Sequence, residues 1–165
     1  MLKMKNVTIS PLTKQDIWEI CLVHKLCFIE TYMDLLDVNS LIKNELLTIE
    51  NYWNRKINNK EITSYKILFN DKIIGFFSFG KSRKESIAAY EIFTFYILQE
   101  FQKQGIGTYV FKHLLEDKTD IYVEVFSENK NACLFYEKIN GKKHSFFYDM
   151  FESKKMKTQI YIWEN

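Results

Sequence analysis

The sequence predicts a mixed α/β fold built around one central sheet, and three observations carry that expectation. Helical and strand periodicities alternate from one end of the 165 residues to the other, in the order βααβββαβαββ. The composition, 47% apolar and 27% charged, is that of an ordinary globular chain. Only five glycines and one proline punctuate it, which excludes collagen-like and low-complexity chains. At this length residues 1–165 are expected to form one domain with a single sizeable core.

The elements follow in order. Val7 to Ser10 reads as a short strand. Thr13-Lys14-Gln15-Asp16 resembles a capping box, and Ile17, Ile20, Cys21, His24, Cys27 and Phe28 recur at helical spacing to about Thr31. A polar break at Asp37-Val38-Asn39-Ser40 offers a second N-cap, after which Leu41, Ile42, Leu46, Leu47, Tyr52 and Trp53 are expected to share most of one helix face. Thr63 to Phe69 and Ile73 to Phe79 are β-rich runs joined by Asn70-Asp71-Lys72, a hairpin turn. Ala88 to Leu98, dense in aromatic and β-branched residues with Glu91 as its one charge, reads as a strand covered on both faces. A helix from Gly105 to about Asp117, a strand from Ile121 to Phe126 and a helix from Asn129 to Ile139 come next. Strands near Lys143 to Tyr148 and Lys157 to Trp163 close the chain.

Charge and cysteines narrow the function classes. The net charge is +2, and 21 of the 23 basic residues are lysines, with Arg55 and Arg83 the two arginines, so neither a nucleic-acid footprint nor a set of guanidinium forks for phosphate is present. Cys21, Cys27 and Cys133 form no C-x-x-C and point to neither a disulfide framework nor a zinc site, which suits a reducing cytoplasm. The N-terminal Met1 to Lys5 lacks the apolar core of a signal peptide, and no run is long enough to span a membrane, so a soluble cytoplasmic protein is expected. The three histidines sit at unrelated spacing and no metal is expected.

The segment that carries chemistry is the long strand, the loop Gln99 to Gln104, and Gly105-Ile106-Gly107-Thr108 entering a helix. A helix N-terminus behind a glycine turn offers unpaired N–H groups and the positive end of the helix dipole to an anion, and glycine lets the backbone approach it. Gly-x-Gly alone also occurs wherever a helix begins after a loop. No Gly-Lys-Ser or Gly-Lys-Thr occurs, so a P-loop fails. A dinucleotide fingerprint is closer, with Gly105, Gly107 and Glu124 at suitable spacing, but Val110 stands at its third glycine and a long polar loop precedes Gly105.

Gln102-Lys103-Gln104-Gly105-Ile106-Gly107 matches the Q/R-x-x-G-x-G/A loop of the GNAT N-acetyltransferase superfamily. Asn129 to Lys138, Asn-Lys-Asn-Ala-Cys-Leu-Phe-Tyr-Glu-Lys, is similar to that family's N-x-x-A-x-x-F-Y helix, with Gly141 just after it. Gln99 stands where many members have proline, and Asn140 where glycine is common. The element order resembles the GNAT fold over nearly the whole chain, which implies a mixed, mostly antiparallel sheet of about six to seven strands with about four helices. The resemblance further implies acetyl-CoA as cosubstrate, with its pyrophosphate on the backbone of Gln102, Lys103, Gln104, Gly105, Ile106 and Gly107 and on the Thr108 hydroxyl. The pantetheine arm would lie along the backbone of Phe95 and Ile97, with Asn129 touching it from the other side.

The family activity is transfer of the acetyl group to a primary amine by direct attack in a ternary complex. An alkyl amine is only about a thousandth neutral at pH 7, so the reaction needs a base or a water relay. Glu91 lies at the offset where many members carry an acidic residue and is the candidate, with capping of the strand end or pairing with a lysine as its bland alternative. Tyr136 is the candidate acid for the leaving thiolate, with packing as its alternative.

The acceptor would meet Phe28 to Asn39 and Phe146 to Lys155, expected to be irregular and bearing Glu30, Tyr32, Asp34, Asp37, Phe147, Tyr148, Asp149 and Glu152. Those carboxylates would suit a cationic acceptor such as a polyamine, an aminoglycoside-like drug or a peptide amine. A homodimer is compatible with the sequence. The competing readings are a non-catalytic acyl-CoA-binding module and, further away, a nucleotide-dependent oxidoreductase.

Overall fold

The computed structural model describes residues 4–43, 45–115, 118–151 and 154–164. Seven strands form one sheet in the order β1-β2-β3-β4-β5-β7-β6. They are β1 Val7–Pro11, β2 Ile62–Phe69, β3 Lys72–Lys81, β4 Tyr90–Ile97, β5 Ile121–Phe126, β6 Lys142–Phe151 and β7 Lys154–Trp163. Every neighbouring pair is antiparallel except β4 and β5. A sheet with one parallel pair is not the doubly wound sheet that a dinucleotide-binding unit requires. The helices are α1 Ile17–Tyr32, α2 Val38–Lys43, α3 Leu46–Asn58, α4 Ile106–Leu115 and α5 Lys130–Lys138. Among the described residues no helix is long and apolar enough to cross a membrane.

Local chemistry accounts for most of these boundaries. The Asp16 carboxylate accepts from the Thr13 N–H and hydroxyl at 2.8 Å each, the reach-back that starts α1. Asn70 and Asp71 both take positive φ, 49° and 63°, the pair of left-handed residues that a tight hairpin between β2 and β3 demands. The end of α5 has Asn140 at φ 66°, with the Gly141 N–H on the Tyr136 carbonyl at 2.8 Å and the Asn140 N–H on Glu137 at 3.1 Å. That is a Schellman stop with asparagine in the glycine position.

The single second helix expected after Asp37 is two helices, so five are present where about four were expected. Asp37 caps α2, accepting from the Ser40 N–H and hydroxyl. Because α2 ends at Lys43, the Leu41–Ile42 and Leu46–Leu47 pairs never share a face, and Ile42 and Leu47 stay exposed. The face of α3 turned to the sheet is instead Ile49, Trp53 and Lys56. The expected C-terminal extension of α4 to Asp117 lies outside the described residues.

Helices α1 and α3 cover one face of the sheet, where Ile20, Cys21, Cys27, Ile49 and Trp53 meet Ile73 and Phe76. Helices α4 and α5 serve the other face, where Ile106, Val110 and Tyr136 meet Phe77, Ile92 and Val123. The central strand β4 therefore shows no exposed residue, as its run of apolar and aromatic residues predicts.

Candidate active site

The site begins where the sheet opens. β4 and β5 pair through three positions only, Tyr90 with Ile121, Glu91 with Tyr122 and Ile92 with Val123, after which the strands diverge. The register between β3 and β4 shifts at this same point: Ser78 faces Thr94 while Phe79 faces Ile92, leaving Phe93 as the extra residue of a bulge. A bulge bends its strand and breaks the alternation of faces, which is the local cause of the splay. The Leu98 N–H donates to the Ile74 carbonyl, so by alternation the backbone groups of Ile97 and Phe95 point away from β3, into the gap.

Beyond Ile97 the chain turns through residues 99–105. Lys103, a non-glycine residue, sits at φ 58° and Gly105 at φ 86°, a strained curl of the kind that sites retain for function. Among the described residues the N–H groups of Lys103, Gln104, Gly105, Ile106, Gly107 and Thr108 have no hydrogen-bond partner, whereas Tyr109 already donates to Gly105 and starts α4. Six such donors at the positive end of a helix make a candidate anion cradle. Gln102 differs from its neighbours: its N–H turns back to Gln99 at 3.1 Å, and its amide donates to the Ile97 carbonyl at 2.7 Å, tying the loop to the end of β4. A Cβ on Gly107 would stand 3.0 Å from the Phe135 ring, so glycine there lets α5 close on α4.

Helix α5 borders the gap from the far side. Asn129 caps it, its Oδ1 accepting from the Ala132 N–H at 3.1 Å, which leaves its amide NH₂ without a partner among the described residues. Tyr136 is buried, packed on Tyr161 and Trp163, and its hydroxyl makes no hydrogen bond to any described residue. Burial, with the neighbouring Tyr32 and Cys133, pushes this phenol above its ordinary value, so it keeps its proton at neutral pH. Tyr32 and Tyr96 meet hydroxyl to hydroxyl at 3.0 Å on the opposite face.

At the closed end of the splay stands Glu91, 1% exposed. Arg83, in the loop between β3 and β4, donates to both carboxylate oxygens from Nε at 3.1 and 3.0 Å, again from Nη2, and from its own N–H at 3.2 Å. Burial raises the Glu91 carboxyl, but these bonds, together with the neighbouring Tyr122 hydroxyl, outweigh it and hold the group below its ordinary value. Arg83 Nη2 also lies 3.8 Å from Glu124, which is paired with Lys84. The Glu124 carboxylate, the ribose ligand of a dinucleotide reading, is thus already occupied.

The two acceptor segments read from the sequence meet in space. Phe28 and Tyr32 of α1 pack against Phe151 of β6 and, with Phe126 of β5, form an aromatic wall; Lys154 donates to the Leu35 carbonyl. Neither segment is irregular throughout, because residues 28–32 are helical and residues 146–151 belong to β6. Three of their acidic groups accept hydrogen bonds: Glu30 from the Gln99 N–H, Asp37 from the Ser40 N–H at the start of α2, and Asp149 from the Met150 N–H. Glu152 lies outside the described residues.

Sequence reasoning missed Arg83 as the partner of Glu91, and the burial of Lys56. Arg83 sits in a loop without periodicity. Lys56 did leave a trace, since it follows Ile49 and Trp53 at i+7 and i+3, on the core face of α3.

A strand opened by a bulge, a run of unpartnered N–H groups at its end and a buried phenol on the neighbouring α5 mark an α/β protein with a gap between two strands of its sheet. The family model of the acetyltransferase (GNAT) family matches residues 28–141. The chain belongs to that family. Its fold is shared by solved structures of low sequence identity. An N-acetyltransferase from Staphylococcus aureus Mu50 superposes with a TM-score of 0.71 at 15% identity, over 94% of this chain and 96% of that one. Arabidopsis thaliana NAA60 in complex with acetyl-CoA gives 0.69 at 10% identity, over 96% and 99%. The PaiA N-acetyltransferase of Thermoplasma acidophilum in complex with coenzyme A gives 0.66 at 18% identity, over 93% and 97%.

Proposed function

We propose that this chain transfers the acetyl group of acetyl-CoA to the primary amine of a small molecule or peptide by direct attack in a ternary complex. The observation that carries the reading is the run of six unpartnered N–H groups, Lys103 to Thr108, beside a β4 edge whose Phe95 and Ile97 backbone faces an open gap. These donors, with the Thr108 hydroxyl, suit a pyrophosphate. The free N–H groups of Phe95 and Ile97 suit the amides of a pantetheine arm, which would add to β4 like a further strand. Asn129 offers its free amide NH₂ to that arm. Gln102 contributes by bracing the loop through its side chain. Acetyl-CoA supplies the activated acyl group.

The remaining residues manage protons. An acceptor nitrogen that starts as an ammonium sheds two protons on becoming an amide: one ends on the departing sulfur and one goes to solvent. Tyr136 is the proposed donor to the sulfur, since its phenol stays protonated and has no competing partner. Glu91 is the proposed acceptor of the second proton, which then returns through solvent to restore the Tyr136 phenol. A carboxylate held low is a poor base for a free ammonium, but nitrogen already bonded to the electron-poor acetyl carbon is far more acidic. Arg83 must first give way, and Glu124 is at hand to receive it.

The deciding experiment incubates the purified chain with acetyl-CoA and a panel of polyamine, aminoglycoside and peptide amines, following thiol release and acetylated product. Amine-dependent thiol release is expected. Acetyl-CoA binding without it would make the chain a binding module.

A further inference from the structure

Lys56 of α3 is a buried cation separate from the glycine loop, Glu91 and Tyr136. It is 8% exposed, yet among the described residues it forms no salt bridge. Its ammonium lies 5.0 Å from the centre of the Tyr52 ring and 4.6 Å from that of Phe93, and its one hydrogen bond runs to Ser78 Oγ at 2.8 Å. Ser78 Oγ in turn meets Thr94 Oγ1 at 2.5 Å. A buried lysine without a carboxylate is expensive, and a leucine or methionine would fill the same space at less cost.

The position of this chain of groups is as specific as its chemistry. Phe93 is the bulged residue and Thr94 follows it, so the relay ends at the start of the splayed segment of β4. The anion cradle and α5 lie on the α4–α5 side of the sheet, where Phe95 packs on Phe135. Lys56, Ser78 and Thr94 lie on the α1–α3 side, beneath α3.

On the reading that the chain is an N-acetyltransferase, we propose that Thr94, Ser78 and Lys56 form a proton relay that takes the first proton from the acceptor ammonium. Thr94 Oγ1 accepts a proton from the nitrogen and passes its own to Ser78 Oγ. Ser78 passes its own to the neutral Lys56 amine. The sum is an acceptor amine and a Lys56 ammonium, which returns its proton to solvent after turnover. Lys56 and Glu91 thereby serve the two protons in succession.

The charge environment agrees. Burial lowers Lys56 to about 7, against the opposing pull of Glu91 and with a smaller push from Arg83. The titratable groups facing it are His24 of α1, itself lowered to about 4 by burial and by Lys56, Tyr52 of α3, Glu91 of β4 and Arg83 of the β3–β4 loop. A base near 7 is matched to neutral solution, where an ordinary lysine is fully protonated.

The test is the pH dependence of kcat/KM for an amine of pKa about 10, in the wild type, Lys56→Met and Thr94→Val. A relay that deprotonates the bound ammonium makes the wild-type profile level off above about pH 7.5. Without it only free neutral amine reacts, so both variants should climb about tenfold per unit through about pH 9 and lie about a hundredfold lower at pH 7.5. The two variants act at opposite ends of the relay, and Thr94→Val preserves shape, so a common profile cannot come from misfolding of one. A titration of the ¹³Cε-labelled Lys56 resonance, assigned by its loss in Lys56→Met, should show a midpoint near 7. A wild-type plateau retained in both variants, or a Lys56 midpoint near 10, overturns the relay. A wild type that acetylates no amine overturns the transferase reading itself, and the relay with it.

Discussion

Arg83 closes on both carboxylate oxygens of Glu91 from a loop only eight residues upstream, capping a carboxylate that is 1% exposed with a side chain that is 64% exposed. The pair places a charge at the apex of the splayed strands and fixes how it can be used. With Arg83 in place the carboxyl is held low; with Arg83 turned toward Glu124, burial is opposed mainly by the Tyr122 hydroxyl and the depression is relieved.

Arg83→Met should therefore destabilise the chain by about 2 kcal/mol at about pH 8, less than the loss of a fully enclosed partner because the guanidinium is solvated. The sign with pH follows from the direction of the shift. In the wild type Glu91 is depressed, so its contribution is present above the ordinary value of 4.5 and lost as pH falls through its folded value. In the variant that depression is relieved, so the deficit shrinks as pH falls from about 7 to about 4. Thermal unfolding of both proteins across that range measures it; a deficit constant with pH would mean that Arg83 does not control this carboxylate.

Glu91→Gln keeps the shape of the site and removes the proposed proton acceptor. Turnover should fall about a hundredfold with acetyl-CoA affinity unchanged. Full activity from about pH 6 to about pH 9 would remove Glu91 from the chemistry.

Tyr136→Phe removes a hydroxyl that has no partner among the described residues, so stability should change by no more than about 0.5 kcal/mol. The expected loss is in kcat, about a hundredfold, with the dissociation constant of acetyl-CoA preserved. Calorimetric binding beside steady-state kinetics separates the two, and an unchanged kcat would reduce Tyr136 to packing.

Gly105→Ala places a Cβ on a residue at φ 86°, which costs about 1 kcal/mol of backbone strain, and brings it 3.1 Å from the flexible end of Met4. The curl that aligns the six donors should relax, weakening acetyl-CoA binding about tenfold or more. Equal affinity in a titration would show that the cradle is not the anchor.

Much of this protein was legible before any coordinates. The order of elements, the Asn70–Asp71 hairpin, the stop at Asn140–Gly141 and the glycine loop before α4 were all readable, because periodicity, turn chemistry and capping act over a few residues. The same local logic failed where one break mattered: α2 and α3 read as one helix because their apolar residues share a spacing but not a continuous axis.

What only the tertiary structure decided is which charges meet. Glu91, Arg83 and Glu124 come from three different segments, as do Lys56, Ser78 and Thr94, and no sequence spacing announces either group. Glu30, Asp37 and Asp149, three of the acidic residues that suggested a cationic acceptor, each accept from a backbone N–H, and a buried lysine lies against Ser78 of β3. The physical reason is range. Backbone conformation is set by neighbours along the chain, whereas the ionisation of a buried group is set by whatever the bulged strand and the loop above it bring within hydrogen-bonding distance.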